Sequence, residues 1–356
     1  MRISQIKPLL AILLCAMSAF PCEVWAWGNS GHEAVACVAW QQMKPATRTR
    51  ILQLLKRIPA VHPTATKSIP GFNEWVSQLP RGLSEDEQNL FLFMRAATWP
   101  DTIKHVGFQD SDVPPPGVRQ DVNIGFSDKA SHGYWHFVDA GFASDHSTVP
   151  ATPAPNARVQ IIALREAIAS SEDDDLKAYD LIWLEHLVGD IHQPLHGAVR
   201  FFNNQGDRGG NLVEITLPSD LKQKFGGSAS SKPPTELHAF WDDLPGEGEP
   251  DAALGEAETF AKALPSAPSA KVSDTDPTNW GLESFTLAKT DGYAPPIGKG
   301  PKLASSHHSR SRTGNVSTGS SYLITDAYYQ KAMQDAKDRI ALAGARLAKL
   351  LDDNLK

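Results

Sequence analysis

Two pairs of ionisable side chains repeat one spacing in the sequence. His186 and Asp190 lie in LEHLVGDIHQPLH, and His238 and Asp242 lie in LHAFWDD. Residues four apart on a helix face the same way, so the imidazole and the carboxylate of each pair can bind one cation. A structural hydrogen bond is the commoner explanation for one such pair on its own, and the metal hypothesis therefore depends on further ligands.

Other side chains in the sequence offer the same two ligand types. They are His32 in WGNSGH, Asp101 in ATWPDTIK, His136 in YWHFVD and His196, which follows Pro194. Nitrogen and oxygen ligands without a thiolate indicate zinc at a catalytic site, ahead of manganese or iron. The full set is too large for one tetrahedral ion and suits two or three ions, with Asp190 shared.

The N-terminus has the pattern of a secretory signal peptide. Arg2 and Lys7 form a basic start, residues 9–20 form an apolar core, and Val24-Trp25-Ala26 fits a cleavage site. The core is shorter than the roughly 20 residues of a membrane-spanning helix, and no second apolar run approaches that length. We expect cleavage after Ala26, a mature chain that starts at Trp27, no membrane span, and export to the periplasm or the medium.

Removal of the signal leaves 330 residues with 32 basic and 40 acidic side chains, a net charge of −8. Such a chain has no basic surplus to bind a polyanion by charge alone. If the protein acts on nucleic acid, metal ions must supply the positive field locally. Cys37 is then the only cysteine, which excludes an internal disulfide, and its apolar surroundings predict a packed core thiol.

Apolar spacing predicts a mainly α protein with one domain over residues 27–356. Helices are expected over 33–43, 47–58, 156–169, 177–190 and 333–350. Ser84 and Glu87 form a possible capping box ahead of another helix. The one predicted hairpin covers 198–217, with NNQGDRGGN as its loop and LVEITL as its second strand. Loops are expected over 105–130, 217–234 and 264–320, the last of them long and mobile.

In the same order along the chain, these motifs resemble those of the zinc-dependent type I single-strand-specific nucleases of fungi and plants, the nuclease S-one/P-one family of 3′-nucleotidases. The matching pieces are WGNSGH, WPDTIK, WHFVDA, HLVGDIHQPLH, GDRGGN and LHAFWD. The resemblance runs from Trp27 to about Leu351. It implies a helical fold related to zinc phospholipase C, with a small β-hairpin and long loops.

The resemblance also implies three Zn²⁺ ions per chain. The first ion would be bound by Asp101, His136, His186 and Asp190, and the second by His196, His238 and Asp242. The third would be bound by the amino nitrogen and carbonyl oxygen of Trp27, by His32 and by the other oxygen of Asp190. Cleavage at a single bond would then be required, because the new terminus is itself a ligand.

The chemistry of clustered zinc ions suggests a mechanism. A hydroxide between the first and third ions, held through Asp101 and Asp190, would attack phosphorus, and the second ion would stabilise the leaving 3′ oxygen. Lys104 is the nearest candidate for a cation on the non-bridging oxygens. The fungal enzymes usually have arginine there, and lysine lacks its bidentate fork. A solvated surface lysine is the alternative.

Base binding is expected beside His136. The resemblance implies that Phe137 stacks on a base and that Asp139 accepts a hydrogen bond from the base edge. Stacking needs an unpaired base, which would explain a preference for single strands. Asn211 in GDRGGN would line the same cleft. The alternatives are a core position for Phe137 and a simple turn residue at Asn211, and His192 is expected to be structural.

The resemblance implies hydrolysis of RNA and single-stranded DNA to 5′-mononucleotides, and removal of the 3′ phosphate from 3′-nucleotides. No obligate protein partner is expected. Two alternatives stay open: a zinc phospholipase C that acts on phospholipid head groups, and a non-catalytic protein that binds metal or nucleic acid. Phe137, Asp139 and the GDRGGN loop favour nucleic acid, and the complete ligand set argues against a protein without turnover.

Overall fold

The computed structural model describes residues 27–64, 67–105, 125–127, 130–225, 232–246, 253–297 and 321–355. The predicted signal peptide therefore lies outside the described residues. The same holds for most of the loop predicted over 105–130, and for the part of the loop predicted over 264–320 that follows Ile297.

Helices carry most of the described chain. The α-helices are α1 (Asn29–Gln42), α2 (Pro45–Leu55), α3 (Phe72–Ser77), α4 (Glu85–Ala97), α5 (Trp99–Thr102), α6 (Ala157–Ser170), α7 (Asp174–Asp190), α8 (Ser219–Phe225), α9 (Leu237–Asp242), α10 (Ala253–Lys262), α11 (Ser269–Val272), α12 (Pro277–Leu287) and α13 (Asp326–Asn354). Short 3₁₀ turns cover Ile103–His105, Gly125–Ser127, Gly133–Trp135 and Pro194–His196, and a π-helical turn covers Ala288–Gly292. The prediction of a mainly α protein is confirmed.

Two capping interactions set where the predicted helices begin. Ser84 and Glu87 form the predicted capping box at the start of α4, with the Ser84 N–H donating to Glu87 Oε2 over 2.7 Å. Helix α7 begins three residues before its predicted start, because the Asp173 side chain accepts from the backbone N–H groups of Asp175 and Leu176. Satisfying these otherwise unpaired donors stabilises a helix by about 1 kcal/mol.

Helix α7 runs through the centre of the core. Every residue from Lys177 to Asp190 is buried, and a helix that is buried all round lies between other elements rather than on the surface. Helices α1 and α13 pack closely against each other beside it. A Cβ atom at Gly344 would lie 2.5 Å from Val38 Cβ, so this glycine is needed for the close approach of the two helices.

The predicted hairpin is wrong in its second strand. The strand β4 (Ala198–Phe202) turns back at Asn203 and Asn204, both with positive φ, and pairs antiparallel with β5 (Gln205–Gly206). A two-residue turn of this kind closes a hairpin, and it leaves GDRGGN as a separate loop. The predicted strand LVEITL contributes only β6 (Ile215–Thr216), which pairs in parallel with β7 (Tyr322–Leu323).

The other strands tie distant segments together. β3 (Ala140–Ala143) pairs in parallel with β4 and lies at the edge of this three-stranded sheet. β1 (Val61–Thr64) and β2 (Lys67–Ile69) form a second small antiparallel pair. The β3–β4 pairing brings the segment after His136 alongside the segment after His196, which matters for the site below.

Two predicted loops contain helices. Helix α8 lies within 217–234, and α11, α12 and the π-helical turn lie within 264–320, so both loop predictions are wrong for those residues. Asp276 accepts a hydrogen bond from Thr278 N–H and Pro277 occupies the first turn of α12, which is a recognisable start signal for a helix. Within the residues described, no helix is long and apolar enough to cross a bilayer.

Candidate metal centre

Eight histidine and aspartate side chains predicted as ligands meet inside the protein. They come from α1 (His32), α5 (Asp101), the residue after the turn Gly133–Trp135 (His136), α7 (His186 and Asp190), the turn Pro194–His196 (His196) and α9 (His238 and Asp242). All are almost completely buried. Their nitrogen and oxygen atoms form three groups: His32 with His186 and Asp190, Asp101 with His136 and His186, and His196 with His238 and Asp242.

Four atoms around α7 surround one point. His136 Nδ1 lies 2.8 Å from Asp190 Oδ2, and His186 Nε2 lies 2.9 Å from His136 Nδ1 and 3.2 Å from Asp190 Oδ2. Asp101 Oδ1 lies 3.6 Å from His186 Nε2 and 3.9 Å from His136 Nδ1. Ligand atoms of a tetrahedral zinc ion with bonds of 2.0–2.1 Å are about 3.3 Å apart, so these separations fit such an ion.

The second oxygen of Asp190 faces another group. Asp190 Oδ1 lies 3.4 Å from His32 Nε2, and Asp101 Oδ2 lies 3.9 Å from the same nitrogen. His186 Nδ1 donates to the Ala97 carbonyl over 2.7 Å, so the lone pair of its ring is on Nε2. That nitrogen is the one that lies near His136 Nδ1 and Asp190 Oδ2. Asp190 thus presents one oxygen to each of two adjacent positions, as the shared ligand predicted from the sequence would.

The remaining group also adjoins Asp190, whose Oδ1 lies 3.6 Å from His196 Nδ1. His238 Nε2 is 3.4 Å from Asp242 Oδ2, and His196 Nε2 is 3.8 Å from Asp242 Oδ1. The two imidazole rings are stacked with centroids 5.0 Å apart. Two nitrogens and one carboxylate oxygen leave a fourth tetrahedral position open, which is typical of catalytic zinc sites.

Several buried atoms in these groups have no hydrogen-bond partner among the described residues. They are His32 Nε2, Asp101 Oδ2, Asp190 Oδ1, His196 Nε2, His238 Nε2 and Asp242 Oδ2. Burying so many polar atoms without partners is costly. Cations bound between them would satisfy all six at once, so the residues present fit a set of metal ions.

The backbone fixes the imidazole rings of three ligands. His186 donates from Nδ1 to Ala97 O over 2.7 Å, His196 to His136 O over 2.8 Å, and His238 to Gly209 O over 2.6 Å. Each bond assigns the proton to Nδ1 and leaves the Nε2 lone pair facing the neighbouring ligands. Outer hydrogen bonds of this kind orient metal ligands in proteins.

Burial keeps several of these imidazoles neutral. It lowers the pKa of His136 to about 3, with Lys104 adding to the effect, and it lowers the pKa of His196 to about 4 and that of His238 to about 3. His186 differs, because Asp190 and Asp101 outweigh burial and raise its pKa. A neutral imidazole is the form that binds a metal. The group of His196, His238 and Asp242, called the second group from here on, is therefore prepared for a cation at neutral pH.

The pKa values of the carboxylates also shift in opposite directions in different groups. Burial opposes the ionisation of Asp101, but Lys104 and nearby histidines outweigh it and lower the pKa of Asp101. Burial raises the pKa of Asp242 far above its usual range, even though Gln193 donates to it. An anionic Asp242 therefore needs a counter-charge that the neighbouring side chains do not supply, and a divalent cation would supply it.

Trp27 packs against this centre. Its side chain is fully buried, and its Nε1 donates to the Gly189 carbonyl over 3.0 Å. A Cβ atom at Gly31 would lie 2.7 Å from Trp27 Cβ, and the Gly28 N–H donates to the Asp242 carbonyl over 3.0 Å. The missing side chain of Gly31 thus allows the chain to fold back, which brings Trp27 next to the helix that carries His186 and Asp190.

Lys104 belongs to the centre and is not a solvated surface lysine. Its Nζ donates to Asp101 Oδ1 over 2.6 Å, and its side chain is only 8% exposed. Its charge also lowers the pKa of His136. A buried cation one helical turn from a ligand is well placed to meet an anionic substrate, although its phosphate role stays a prediction.

Phe137 and Asp139 lie beside the group of His196, His238 and Asp242. The Phe137 ring is partly exposed and its centroid is 4.6 Å from that of His196 and 6.0 Å from that of His238. Asp139 has a positive φ of 54°, and its N–H donates to the His196 carbonyl over 3.3 Å. Phe137 is therefore not a core residue, and its ring is available beside the second group.

Asn211 holds its own turn. Its Nδ2 donates to the Arg208 carbonyl over 2.7 Å, and it is 8% exposed. Arg208, Gly209 and Gly210 all have positive φ, and the Gly209 carbonyl holds His238. The structure thus brings the GDRGGN loop to the second group through its backbone. The turn role that the sequence left open for Asn211 is present, whereas its role in a cleft stays a prediction.

Two residues at the centre, Gln193 and Gly189, were not predicted from the sequence, whereas the structural role of His192 was. Gln193 is fully buried and its Nε2 donates to Asp242 Oδ1 over 2.6 Å, and Gly189 contacts both Trp27 and His32. A polar residue between two ligand motifs was the available signal for Gln193. His192 is structural as expected: it donates from Nδ1 to Val188 O and accepts from Arg346.

Comparison with known proteins identifies the family of this chain. The family model described as S1/P1 Nuclease matches residues 27–356. Nuclease S1 of Aspergillus oryzae is 22% identical over a 364-residue alignment that covers 97% of each protein. Nuclease P1 of Penicillium citrinum is 26% identical over 189 residues, which are 52% of this chain and 60% of that protein. Endonuclease 4 of Arabidopsis thaliana is 29% identical over 194 residues, which are 52% of this chain and 54% of that protein. The family model covers nearly the whole chain and the fold is mainly α-helical, so this protein belongs to the S1/P1 nuclease family and is a nuclease with three candidate metal-binding groups.

Proposed function

We propose that the protein is an exported, zinc-dependent phosphodiesterase. It hydrolyses RNA and single-stranded DNA to 5′-mononucleotides and removes the 3′ phosphate from 3′-nucleotides. The observation that carries this proposal is the set of three adjacent groups of buried nitrogen and oxygen atoms around Asp190. Such a donor set without thiolates suits zinc.

Each group would hold one zinc ion. The ligands of the first ion are Asp101, His136, His186 and Asp190, and those of the second are His196, His238 and Asp242. The third ion is bound by His32, the second oxygen of Asp190, and the amino nitrogen and carbonyl oxygen of Trp27. Bound zinc supplies an activated water and stabilises negative charge on the leaving oxygen.

The protein's own residues bind and orient the substrate. The Phe137 ring, beside His196, stacks on a base, and Asp139 accepts a hydrogen bond from the base edge. We infer that the sugar of the stacked nucleotide then lies near the second group and that its 3′ phosphate lies between the groups. Lys104 donates to a non-bridging oxygen of that phosphate, and Asn211 lines the same cleft. A base within a duplex cannot stack on an aromatic side chain, so single strands are preferred.

The N-terminal pattern and the position of Trp27 support export. Cleavage after Ala26 generates the amino group that binds the third ion. The family match begins at the same residue, Trp27, which supports this cleavage site. The mature protein acts in the periplasm or outside the cell, and it needs no obligate protein partner.

One assay with purified mature protein tests the proposal. The protein, stripped of metal and reloaded with zinc, is offered single-stranded DNA, RNA, duplex DNA, 3′-AMP and phosphatidylcholine. We expect rapid hydrolysis of the single strands and of 3′-AMP, slow hydrolysis of the duplex, and loss of activity in chelator. Asp242→Asn should remove this activity, whereas the neighbouring Asp243→Asn serves as the matched control and should retain it. Hydrolysis of phosphatidylcholine alone would instead identify a phospholipase C, and metal binding without turnover would identify a binding protein.

A further inference from the structure

The ring of His32 lacks the backbone hydrogen bond that orients three of the other ligand histidines; the ring of His136 also lacks one, but its Nδ1 lies against Asp190 and His186. His186, His196 and His238 each donate from Nδ1 to a backbone carbonyl. The Nδ1 of His32 is buried and has no hydrogen-bond partner among the described residues. Apart from the approach of its Nε2 to Asp190 and Asp101, the direction of its ring therefore depends on packing against its neighbours.

Two neighbours define the position of that ring. One is His186, whose ring stacks on it with centroids 3.8 Å apart and an interplanar angle of 13°. The other is Gly189 on α7. A Cβ atom at Gly189 would lie 2.8 Å from His32 Nδ1 and 3.1 Å from His32 Cε1, which is closer than real Cβ contacts, so the ring occupies the space that any side chain at Gly189 would fill.

Gly189 also contacts Trp27. Its carbonyl oxygen accepts the hydrogen bond from Trp27 Nε1, at 3.0 Å. A single residue thus contacts both of the N-terminal groups that we assign to the third ion, and it directly precedes Asp190, their shared partner. We propose that Gly189 is the positioning residue for His32 and Trp27, and that its missing side chain is what allows the third ion to bind. This inference rests on the proposed function for the identity of that ion.

General helix packing does not account for this contact. Gly281 on α12 is also a buried helical glycine, but a Cβ atom there would meet its neighbours at 3.5 Å or more, an ordinary contact distance. Gly344 does approach another helix closely, but it meets Val38 rather than a predicted ligand. Among these helical glycines, Gly189 is the one whose close contact is an imidazole of the metal centre.

The test uses mature protein and four variants: Gly189→Ala, His32→Ala, the double variant, and the control Gly281→Ala. Zinc per chain is measured by elemental analysis after dialysis against buffered zinc. Wild type and Gly281→Ala should bind three ions, and Gly189→Ala should bind two. Retention of all three ions by Gly189→Ala would overturn the inference. Fewer than three ions in wild type would instead show that the proposed third site is wrong.

A stability cycle on metal-free protein tests the steric contact independently of zinc. Gly189→Ala should lower Tm by at least about 2 °C, a shift that thermal denaturation resolves, because the His32 ring must move. In the His32→Ala background the same change should leave Tm unchanged or raise it, since alanine is a better helix former than glycine. If Gly189→Ala alone does not fold, the double variant should restore folding. An equal loss of Tm in both backgrounds, or no folding of the double variant, would show that Gly189 packs against something other than His32.

Discussion

The two halves of the metal centre are built from different kinds of structure. The half around Asp190 draws its ligands mainly from helices, with α1 and α7 supplying His32, His186 and Asp190. The other half draws His196 from a single 3₁₀ turn and its remaining ligands from the six-residue helix α9. A short turn has few internal hydrogen bonds, so its geometry depends on contacts from outside it.

Those outside contacts also differ. In the half around Asp190, the two oxygens of one carboxylate face two groups, and the groups are joined by a shared ligand. In the other half, the Gln193 amide holds Asp242 and the Gly209 carbonyl holds His238. The half around Asp190 is thus joined by a shared carboxylate, whereas the ligands of the other half are held by hydrogen bonds from residues that are not ligands. Damage to Asp190 should affect two ions, whereas damage to Gln193 should affect one.

Asp190→Ala is expected to have the largest effect. Zinc content should fall from three ions per chain to one, because the first and third ions share this carboxylate. The initial rate on single-stranded DNA should fall by at least about 10³-fold, since a metal ion contributes several kcal/mol to the transition state and each 1.36 kcal/mol is tenfold. Asp242→Ala, which removes an unshared ligand, is the comparison and should retain two ions. Equal losses in the two variants would contradict the difference between the halves.

A chain with an extra residue before Trp27 tests the N-terminal ligand of the half around Asp190. A chain produced without the signal that keeps an initiator Met before Trp27 should lose most of the third ion, because a peptide nitrogen is a poor ligand. A free α-amine, with a reference pKa of about 7.7–8.0, gives up its proton to a metal. We expect kcat to fall by about 10²-fold or more with little change in KM.

The control for that chain is the same protein after an aminopeptidase has removed the Met. Mass spectrometry confirms each N-terminus, and elemental analysis counts the zinc. Recovery of the third ion and of kcat after trimming is the expected result. Equal zinc content and equal kcat before trimming would show that Trp27 is only a packing residue.

How much of this could be read from the sequence also differs between the halves. The spacing of His186 and Asp190 on a predicted helix indicated their common direction, and both side chains of α7 lie at the metal centre. The spacing of His238 and Asp242 predicted the same for α9. The contacts that support His238 and Asp242 were harder to predict, because the GDRGGN loop and Gln193 reach them through chain reversals that leave no periodic pattern, and only the position of Gln193 between two ligand motifs was a signal.

The errors in the fold have the same cause. The second strand of the predicted hairpin instead pairs with Tyr322–Leu323, more than 100 residues away along the chain, and local alternation cannot reveal that partner. The loop predicted over 264–320 contains α12, whose start at Asp276 and Pro277 was readable but whose apolar positions are sparse. Local signals thus indicated ligand pairs and long helices, and tertiary pairing decided the rest.

Gln193→Leu tests the support of the second group. Gln193 donates to Asp242 Oδ1 and accepts from the Leu195 N–H, so it fixes the Asp242 carboxylate and the turn that carries His196. Loss of an outer contact typically costs 10–100-fold in metal affinity or activity. We expect a weakening of about that size for one ion, measured by competition with a zinc chelator. Gln193→Glu should keep the Leu195 bond and still weaken the ion, because a carboxylate cannot donate to Asp242. Normal zinc affinity in both variants would remove Gln193 from the site.

Phe137→Ala tests the base site beside the second group. Loss of one stacked base costs about 1–3 kcal/mol, so KM on oligonucleotides should rise by roughly 5- to 150-fold, while zinc content stays at the wild-type value. Phe142→Ala is the matched control. Phe142 lies on β3, where it packs against Phe285 and Tyr293, and it has no assigned contact with substrate. An unchanged KM for Phe137→Ala, or an equal rise for Phe142→Ala, would contradict the stacking role.

The smallest effect on activity is expected from a change to the ion-pair network of Glu283, Arg339 and Arg346. This network holds His192, which precedes the turn Pro194–His196. Arg339 donates from Nε to the His192 carbonyl and from Nη1 to Glu283, and Arg346 donates to both Glu283 and His192 Nε2. Burial opposes ionisation of Glu283, but Arg346 and Arg339 outweigh it and lower its pKa from 4.5 to about 2. Since the folded protein releases this proton more readily than the unfolded chain, the pair stabilises the fold above about pH 4.5, and that contribution is lost as the pH falls towards about 2.

Glu283→Gln should therefore lower the free energy of unfolding by about 1–3 kcal/mol at pH 7, measured by urea denaturation of metal-free protein so that zinc release does not interfere. The difference from wild type should shrink steadily between about pH 4.5 and pH 2, where wild-type Glu283 becomes protonated. The exposed Glu172→Gln is the control and should show no such trend. With zinc bound at neutral pH, activity of Glu283→Gln should stay within about twofold of wild type, because Gln193 and Gly209 still hold the second group from the other side. A difference from wild type that persisted unchanged at pH 2 would show that Glu283 acts through packing rather than through its charge.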